Sequence, residues 1–183
     1  MITLVLEDLK TTIDLFSSTQ CDFLSENCIV ALETKNHCTG CVLHVSGDVT
    51  LGFSLNWNKP VKINGYKEPK KYTEKGAEAI SFFLTSHFTG FKVIEEAVIK
   101  TGPERTGIDY WLGYSEDHED YDADNFMRAR LEVSGILEET PSNTVKSRAA
   151  GKKRQVFPTD KTGLPAFISI VEFSSPKAYF GKK

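Results

Sequence analysis

Residues 166–173 constrain the fold more than any other part of the sequence. The segment is apolar except for Ser169 and Glu172, and it is bounded by Pro165 and Ser174. A short apolar run of this kind is typical of a strand that is buried on both faces of a sheet. A sheet covered on both faces needs helices packed against it, so an α/β (α+β) fold is predicted.

A regular series of elements precedes this strand. Apolar side chains recur at three-to-four spacing along residues 73–87, which predicts an amphipathic helix with Thr73 as its N-cap and Gly90 beyond its end. Three strands and one more helix are predicted by the same pattern criteria, at residues 91–99 (or a second helical piece), 108–114 and 127–137 for the strands and 143–155 for the helix. The predicted order is therefore helix, three strands, helix, strand.

The first third of the chain has a different pattern. Turn residues separate segments 28–33, 41–45 and 49–57, which predicts three antiparallel strands. Residues 58–72 contain prolines, a glycine and five lysines, as is typical of a connection. We therefore predict a small antiparallel β subdomain over residues 1–66 and a second domain over residues 67–183.

Charge is unevenly distributed along the chain. The net charge is −3, yet residues 143–183 carry nine Lys or Arg against two Asp or Glu. This basic segment indicates either a nucleic-acid-binding surface or pairing with the acidic remainder of the protein. No apolar run is long enough to cross a membrane, and Glu7 and Asp8 interrupt the region where a secretory signal would continue, so a cytoplasmic protein with no membrane contact is predicted.

Three acidic residues lie where catalytic carboxylates would be expected. Glu78 is near the start of the first predicted helix, Asp109 is in a predicted strand, and Glu132 is in the next strand. Period-two alternation places Glu132 and Ser134 on one face of that strand and Leu131 on the other. If the two strands are neighbours, the carboxylates converge into an oxygen-only site that suits Mg²⁺ or Mn²⁺.

From residue 74 to about 173 the sequence resembles the PD-(D/E)xK nuclease superfamily, in particular its resolvase-like and RecB-like branches. The resemblance depends on Glu78, on Gly107-Ile108-Asp109 at the start of a strand, on Glu132-Val133-Ser134, and on the basic helix and buried strand that follow. It implies a restriction-endonuclease-like mixed sheet flanked by helices. It also implies Asp109 and Glu132 as metal ligands, Glu78 as an auxiliary ligand, hydrolysis of phosphodiester bonds in DNA rather than RNA, and a role in bacterial antiviral defence.

One motif position departs from the superfamily. Its lysine, two residues after the second acid, is Ser134 here, and a hydroxyl carries no charge to stabilise a hydroxide or a phosphate. Some members relocate this lysine to the following helix, where Lys152 is our substitute, with Lys146 behind it. Arg148, Lys152 and Gln155 have i, i+4, i+7 spacing on one helical face, and Gln155 matches a helix Gln of the RecB-like branch. The side chains expected to contact nucleic-acid phosphates are Lys146, Arg148, Lys153, Arg154 and Gln155.

Alternative interpretations stay open at this point. Without the motif lysine, the same fold could be a catalytically inactive subunit that binds nucleic acid or scaffolds a larger protein complex. The cysteines could hold zinc in a β module, although buried thiols explain them more simply; these are Cys21, Cys28, Cys38 and Cys41. Glu132 could also be no more than a cross-strand partner of Arg128 or Arg130.

Overall fold

Eight strands form one mixed sheet in the computed structural model, which describes residues 1–98 and 106–183. The helices and strands follow one another along the chain as β1 (Ile2–Val5), α1 (Leu9–Thr12), α2 (Ser18–Glu33), β2 (Cys41–Gly47), β3 (Leu51–Asn56), α3 (Pro69–Thr89), β4 (Lys92–Glu96), β5 (Tyr110–Gly113), β6 (Ala129–Ile136), α4 (Val145–Gln155), β7 (Ala166–Glu172) and β8 (Lys177–Lys182). Short 3-10 helices cover Leu6–Asp8, Ile63–Gly65 and Phe157–Thr162. The strand order across the sheet is β1-β3-β2-β8-β7-β6-β5-β4.

The order of elements predicted after residue 73 is confirmed. Strands β4, β5 and β6 pair antiparallel, and β7 then pairs parallel to β6. A parallel neighbour requires a crossover connection, and α4 lies within it. The strand predicted at 91–99 is observed as Lys92–Glu96, while residue 99 lies outside the described part of the chain.

The sheet is covered by helices on both faces. Helix α3 packs on β6 and β7 and also against α2, and the apolar cluster there includes Leu131 and Val133. Helix α4 packs on the other face, where a second cluster includes Ile136 and Ile168. The predicted alternation along β6 is therefore confirmed, and all seven residues of β7 are buried, as its apolar sequence predicts.

Helix α3 begins earlier than predicted. Pro69 occupies its first turn, where a missing N–H is harmless, so the helix starts four residues before the predicted cap. Thr73 is inside the helix, and its Oγ1 donates a hydrogen bond of 2.7 Å to Pro69 O. The helix ends at Thr89, two residues past the predicted end, and Gly90, the predicted break, caps it.

The prediction for residues 1–66 is wrong in two respects. Residues 28–33 are the last turns of α2, which starts at a capping box made by Ser17 and Gln20. Strands β2 and β3 do pair antiparallel, yet β2 also pairs with β8, so both belong to the common sheet. The region is therefore not an antiparallel β subdomain, and its apolar residues share one cluster with those of α3 and β6.

None of the helices within residues 1–98 and 106–183 is both long and apolar enough to span a membrane.

Candidate active site

A cleft of about 330 Å³ opens between the first turns of α3, strands β5 and β6, and helix α4. Most of its lining side chains are charged, and they include Glu74, Lys75, Glu78, Glu96, Asp109, Arg148 and Lys152, together with Tyr110, Ser134 and Gly135. Of the three predicted acids, Glu78 and Asp109 line the cleft. Glu132, which is 1% exposed and does not line it, accepts a hydrogen bond from the lining residue Lys152 and lies on the same face of β6 as Ser134.

The position of Asp109 is fixed by its backbone and by a close approach to α4. Gly107 has φ +70°, and a Cβ there would lie 2.1 Å from Gln155 O, so only glycine lets this segment contact the end of α4. Asp109 itself comes one residue before β5, and its Oδ2 accepts a hydrogen bond of 2.8 Å from Val133 N. This bond holds the carboxylate against β6, beside Glu132.

Glu132 is a buried carboxylate with an incomplete set of partners. Its Oε1 accepts hydrogen bonds from Lys152 Nζ and, at 2.9 Å, from Gln155 Nε2. Its Oε2 is buried and has no hydrogen-bond partner among residues 1–98 and 106–183. Leaving such an atom unpaired costs about 1–3 kcal/mol, so the site as formed by the protein alone is destabilising.

The charge of Asp109 disfavours the ionisation of Glu132. Burial, and then the charge of Asp109, raise the pKa of Glu132 to about 8, although Lys152 opposes the shift. Burial also raises the pKa of Asp109, whereas the hydrogen bond from Val133 N–H and the charge of Lys152 lower it. A proton or a cation between the carboxylates relieves this repulsion.

Helix α4 presents one cationic face to the acids, as its i, i+4, i+7 spacing predicts. A capping box of Thr144 and Ser147 starts the helix. Arg148 Nη1 then donates to Ser134 Oγ at 3.1 Å, so a guanidinium lies beside the serine that replaces the motif lysine. Lys152 and Gln155 both contact Glu132 on the same side.

The residues predicted to bind nucleic acid divide between the two sides of α4. Arg148 and Gln155 are engaged in the cleft, whereas Lys146 and Arg154 are exposed and Lys153 lies over the ring of Tyr179. Lys146, the second substitute for the motif lysine, lines a separate groove and is not among the cleft residues.

Glu78 is in the cleft but already has partners. Lys75 Nζ lies 2.8 and 3.0 Å from its two oxygens, and Tyr110 also hydrogen-bonds to it. Burial raises its pKa, while Lys75 and Tyr110 oppose that shift. In the described ranges no three His, Cys, Asp or Glu side chains surround a common ion position, so the site is a pair of carboxylates with Glu78 beside it.

The carboxylate pair fits a hard divalent cation. Glu132 Oε2 is the unpartnered buried atom, Asp109 lies next to it, and both groups are the oxygen donors that Mg²⁺ and Mn²⁺ prefer.

Sequence reasoning missed the cleft residues Lys75, Glu96 and Tyr110. The spacing of Lys75 three residues before Glu78 on a helix is a signal that could have found this ion pair. Glu96 comes from β4, on the far side of β5 from β6, so only tertiary structure brings it to the cleft.

The simpler interpretation of Glu132 as a cross-strand partner does not match its contacts. Buried Arg130 instead binds Asp160 at 3.2 Å and Leu164 O at 2.6 Å. Arg128 Nη2 donates to Asp120 O at 3.2 Å.

The cysteines show no zinc centre in the described part of the chain. All four are free thiols, and no cluster of three potential ligands contains them. Burial, and then the charge of Cys38, raise the pKa of Cys41 to about 11, which disfavours the thiolate that zinc binds.

Compared with protein-family models, with curated proteins and with solved structures, the chain matches none. The resemblance to the nuclease superfamily therefore stays a prediction from the motif residues.

Proposed function

We propose that the protein is a metal-dependent nuclease that hydrolyses phosphodiester bonds in DNA. One observation carries the proposal: Asp109 and Glu132 come from adjacent antiparallel strands and meet at the base of an open cleft, where Glu132 Oε2 is buried without a partner in the described residues. Buried charges kept without full compensation are typical of functional sites.

The fold supports the same proposal. A helix, three antiparallel strands, a helix and a parallel strand follow one another in the order that the resemblance implies, with the acids at its motif positions. We therefore include a restriction-endonuclease-like arrangement, and a place in the PD-(D/E)xK superfamily, in the proposal. The role in antiviral defence stays a prediction from the resemblance.

Five polar side chains at the cleft have a role in this mechanism. Asp109 and Glu132 would hold Mg²⁺ or Mn²⁺, which when bound lowers the pKa of water and neutralises charge on a phosphodiester. Lys152, at the edge of the cleft, stabilises negative charge on the attacking oxygen, and Gln155 orients Glu132. Arg148 supplies the positive charge that Ser134 lacks.

The second candidate function is a catalytically inactive subunit that binds nucleic acid or scaffolds a protein complex. It is favoured by the pairing of Lys152 with Glu132, because an ammonium that stays on this carboxylate occupies an oxygen that a metal would use. The two candidates differ in one measurable property, the cleavage of nucleic acid.

Cleavage of plasmid DNA, single-stranded DNA and RNA by the purified protein with Mg²⁺ or Mn²⁺ tests the proposal. We expect the wild type to cleave DNA, and Asp109→Ala and Glu132→Ala each to lose at least a thousandfold in rate. Glu138→Ala is the matched control, because this exposed acid pairs with Lys35 away from the cleft, and it should retain full activity. Cleavage that survives both cleft substitutions would remove the site assignment, and no cleavage with either metal would favour the inactive subunit.

A further inference from the structure

A second groove, of about 680 Å³, lies on the other side of α4 from Lys152, between this helix and strands β2 and β8. Its helical wall contains Val145, Ala149 and Ala150, which are small or apolar. Its other wall contains Tyr179 from β8 and Ser46 from β2. The cleft mechanism uses none of these residues.

The strand register explains why polar and aromatic side chains line this groove. Strands β2 and β8 are parallel neighbours, with His44 opposite Lys177 and Ser46 opposite Tyr179. Ala178, between Lys177 and Tyr179, is buried against the opposite face. Tyr179 and Lys177 therefore project on the α4 side, where α4 contacts β8 and leaves His44 and Ser46 of β2 exposed.

The groove is cationic. Three ammonium groups border it, on Lys146, Lys153 and Lys177, against the single carboxylate of Glu139, which Lys177 Nζ contacts at 2.6 Å. Lys153 Nζ lies 5.5 Å from the centre of the Tyr179 ring. An aromatic ring with lysines around it matches the chemistry of single-stranded nucleic acid, whose bases stack while its phosphates need neutralisation.

We infer that this groove binds an unpaired segment of the nucleic-acid substrate: Lys153 moves from the ring of Tyr179 to a phosphate, a base takes its place on the ring, and a second phosphate lies near Lys146. A base inside a duplex is stacked on its neighbours and cannot enter, so the substrate class is single-stranded DNA or a duplex with a single-stranded tail. The inference rests on the proposed function, since the same strand would cross α4, about 10 Å wide with its side chains, to reach the acidic cleft.

Fluorescence anisotropy with a labelled single-stranded dT oligonucleotide, in EDTA so that no cleavage occurs, tests this inference. We expect Tyr179→Leu to weaken binding about tenfold, as the loss of one stacked base implies, and Tyr179→Phe to bind like the wild type. Lys153→Gln should weaken binding. It should also reduce the slope of log K against log[salt] by about one, as the loss of one phosphate contact implies. Lys70 lies on α3 with its side chain 86% exposed, so Lys70→Gln should change neither the affinity nor its salt dependence.

Blunt duplex DNA of mixed sequence should bind more weakly, with no difference between the wild type and Tyr179→Leu. The inference is overturned if the wild type does not bind the single strand, if Tyr179→Leu binds it as well as Tyr179→Phe does, or if duplex binding shows the same loss. Because the assay contains no metal, it separates the two proposals. Binding of the single strand without cleavage would reject the nuclease proposal and leave the groove proposal standing. Cleavage without an effect of Tyr179→Leu on binding would reject the groove proposal and leave the nuclease proposal standing.

Discussion

Glu132→Gln is expected to make the folded protein more stable at pH 8, by about 2 kcal/mol, while it abolishes cleavage, because the cost of ionising a carboxylate whose pKa is raised to about 8 exceeds the ion-pair energy lost with Lys152. The wild-type carboxylate is buried and faces Asp109, and its Oε2 has no hydrogen-bond partner among the described residues. A neutral amide of the same size removes the repulsion and can donate toward Asp109. Urea denaturation in the absence of divalent metal measures the difference.

The pH dependence of this effect has a definite sign. The pKa of Glu132 is raised from 4.5 to about 8 in the folded protein, so between these values the unfolded chain has lost a proton that the folded protein keeps. Unfolding then becomes easier as pH rises, and this contribution to wild-type stability declines from about pH 5 to pH 8. Glu132→Gln should lack that decline, so its advantage should be small at pH 5 and full at pH 8.

Glu172 offers a matched control on the neighbouring strand β7. Both glutamates are 1% exposed, but Glu172 accepts hydrogen bonds from Ser174 N at 2.8 Å and Ser175 N at 2.9 Å, which close the turn into β8. Glu172→Gln should therefore lower the free energy of unfolding by about 1–3 kcal/mol. If Glu132→Gln loses stability in the same way, Glu132 is a structural ion-pair residue and the proposed site is wrong.

Lys152→Met is expected to lower the rate of DNA cleavage at saturating substrate by a factor of about 100 to 1,000, as the loss of one charge-stabilising donor implies. Its ammonium contacts Glu132 and lines the cleft where the phosphate would bind. Lys153→Met is the matched control, because the adjacent lysine lies on the groove side of the same helix.

The two lysine variants should change different kinetic constants. Lys153→Met should keep the saturating rate and raise the substrate concentration needed to reach it, whereas Lys152→Met should lose the rate itself. Equal effects of the two variants on the saturating rate would show that general positive charge, and not the position of Lys152, supports cleavage. Steady-state kinetics on a single-stranded oligonucleotide provides both quantities.

The part of the fold with clear periodicity could be predicted from the sequence. Alternation along β6 placed Glu132 and Ser134 on one face, and helical spacing placed Lys152 and Gln155 on one face of α4, so these contacts follow from local pattern. Helix α2 could not be recognised in this way. Its residues Cys28–Leu32 are all buried, so the chain there has no polar face to reveal a helical period.

Other parts of the site depend on tertiary structure. The hydrogen bond from Tyr110 to Glu78 depends on where the start of α3 lies relative to β5, whereas the Lys75–Glu78 pair follows from helical spacing. The unpartnered oxygen of Glu132 likewise arises only when Asp109, Lys152 and the sheet are assembled.

Isothermal titration of the metal-free protein with Mn²⁺ at pH 8, without nucleic acid, is the most direct test of the carboxylate pair as a metal site. We expect one Mn²⁺ to bind per chain, Asp109→Asn and Glu132→Gln each to weaken binding at least tenfold, and Glu172→Gln to bind like the wild type. A wild-type protein that binds no Mn²⁺, or a Glu132→Gln variant that binds it as tightly as the wild type, would contradict the proposal that Asp109 and Glu132 hold a metal ion.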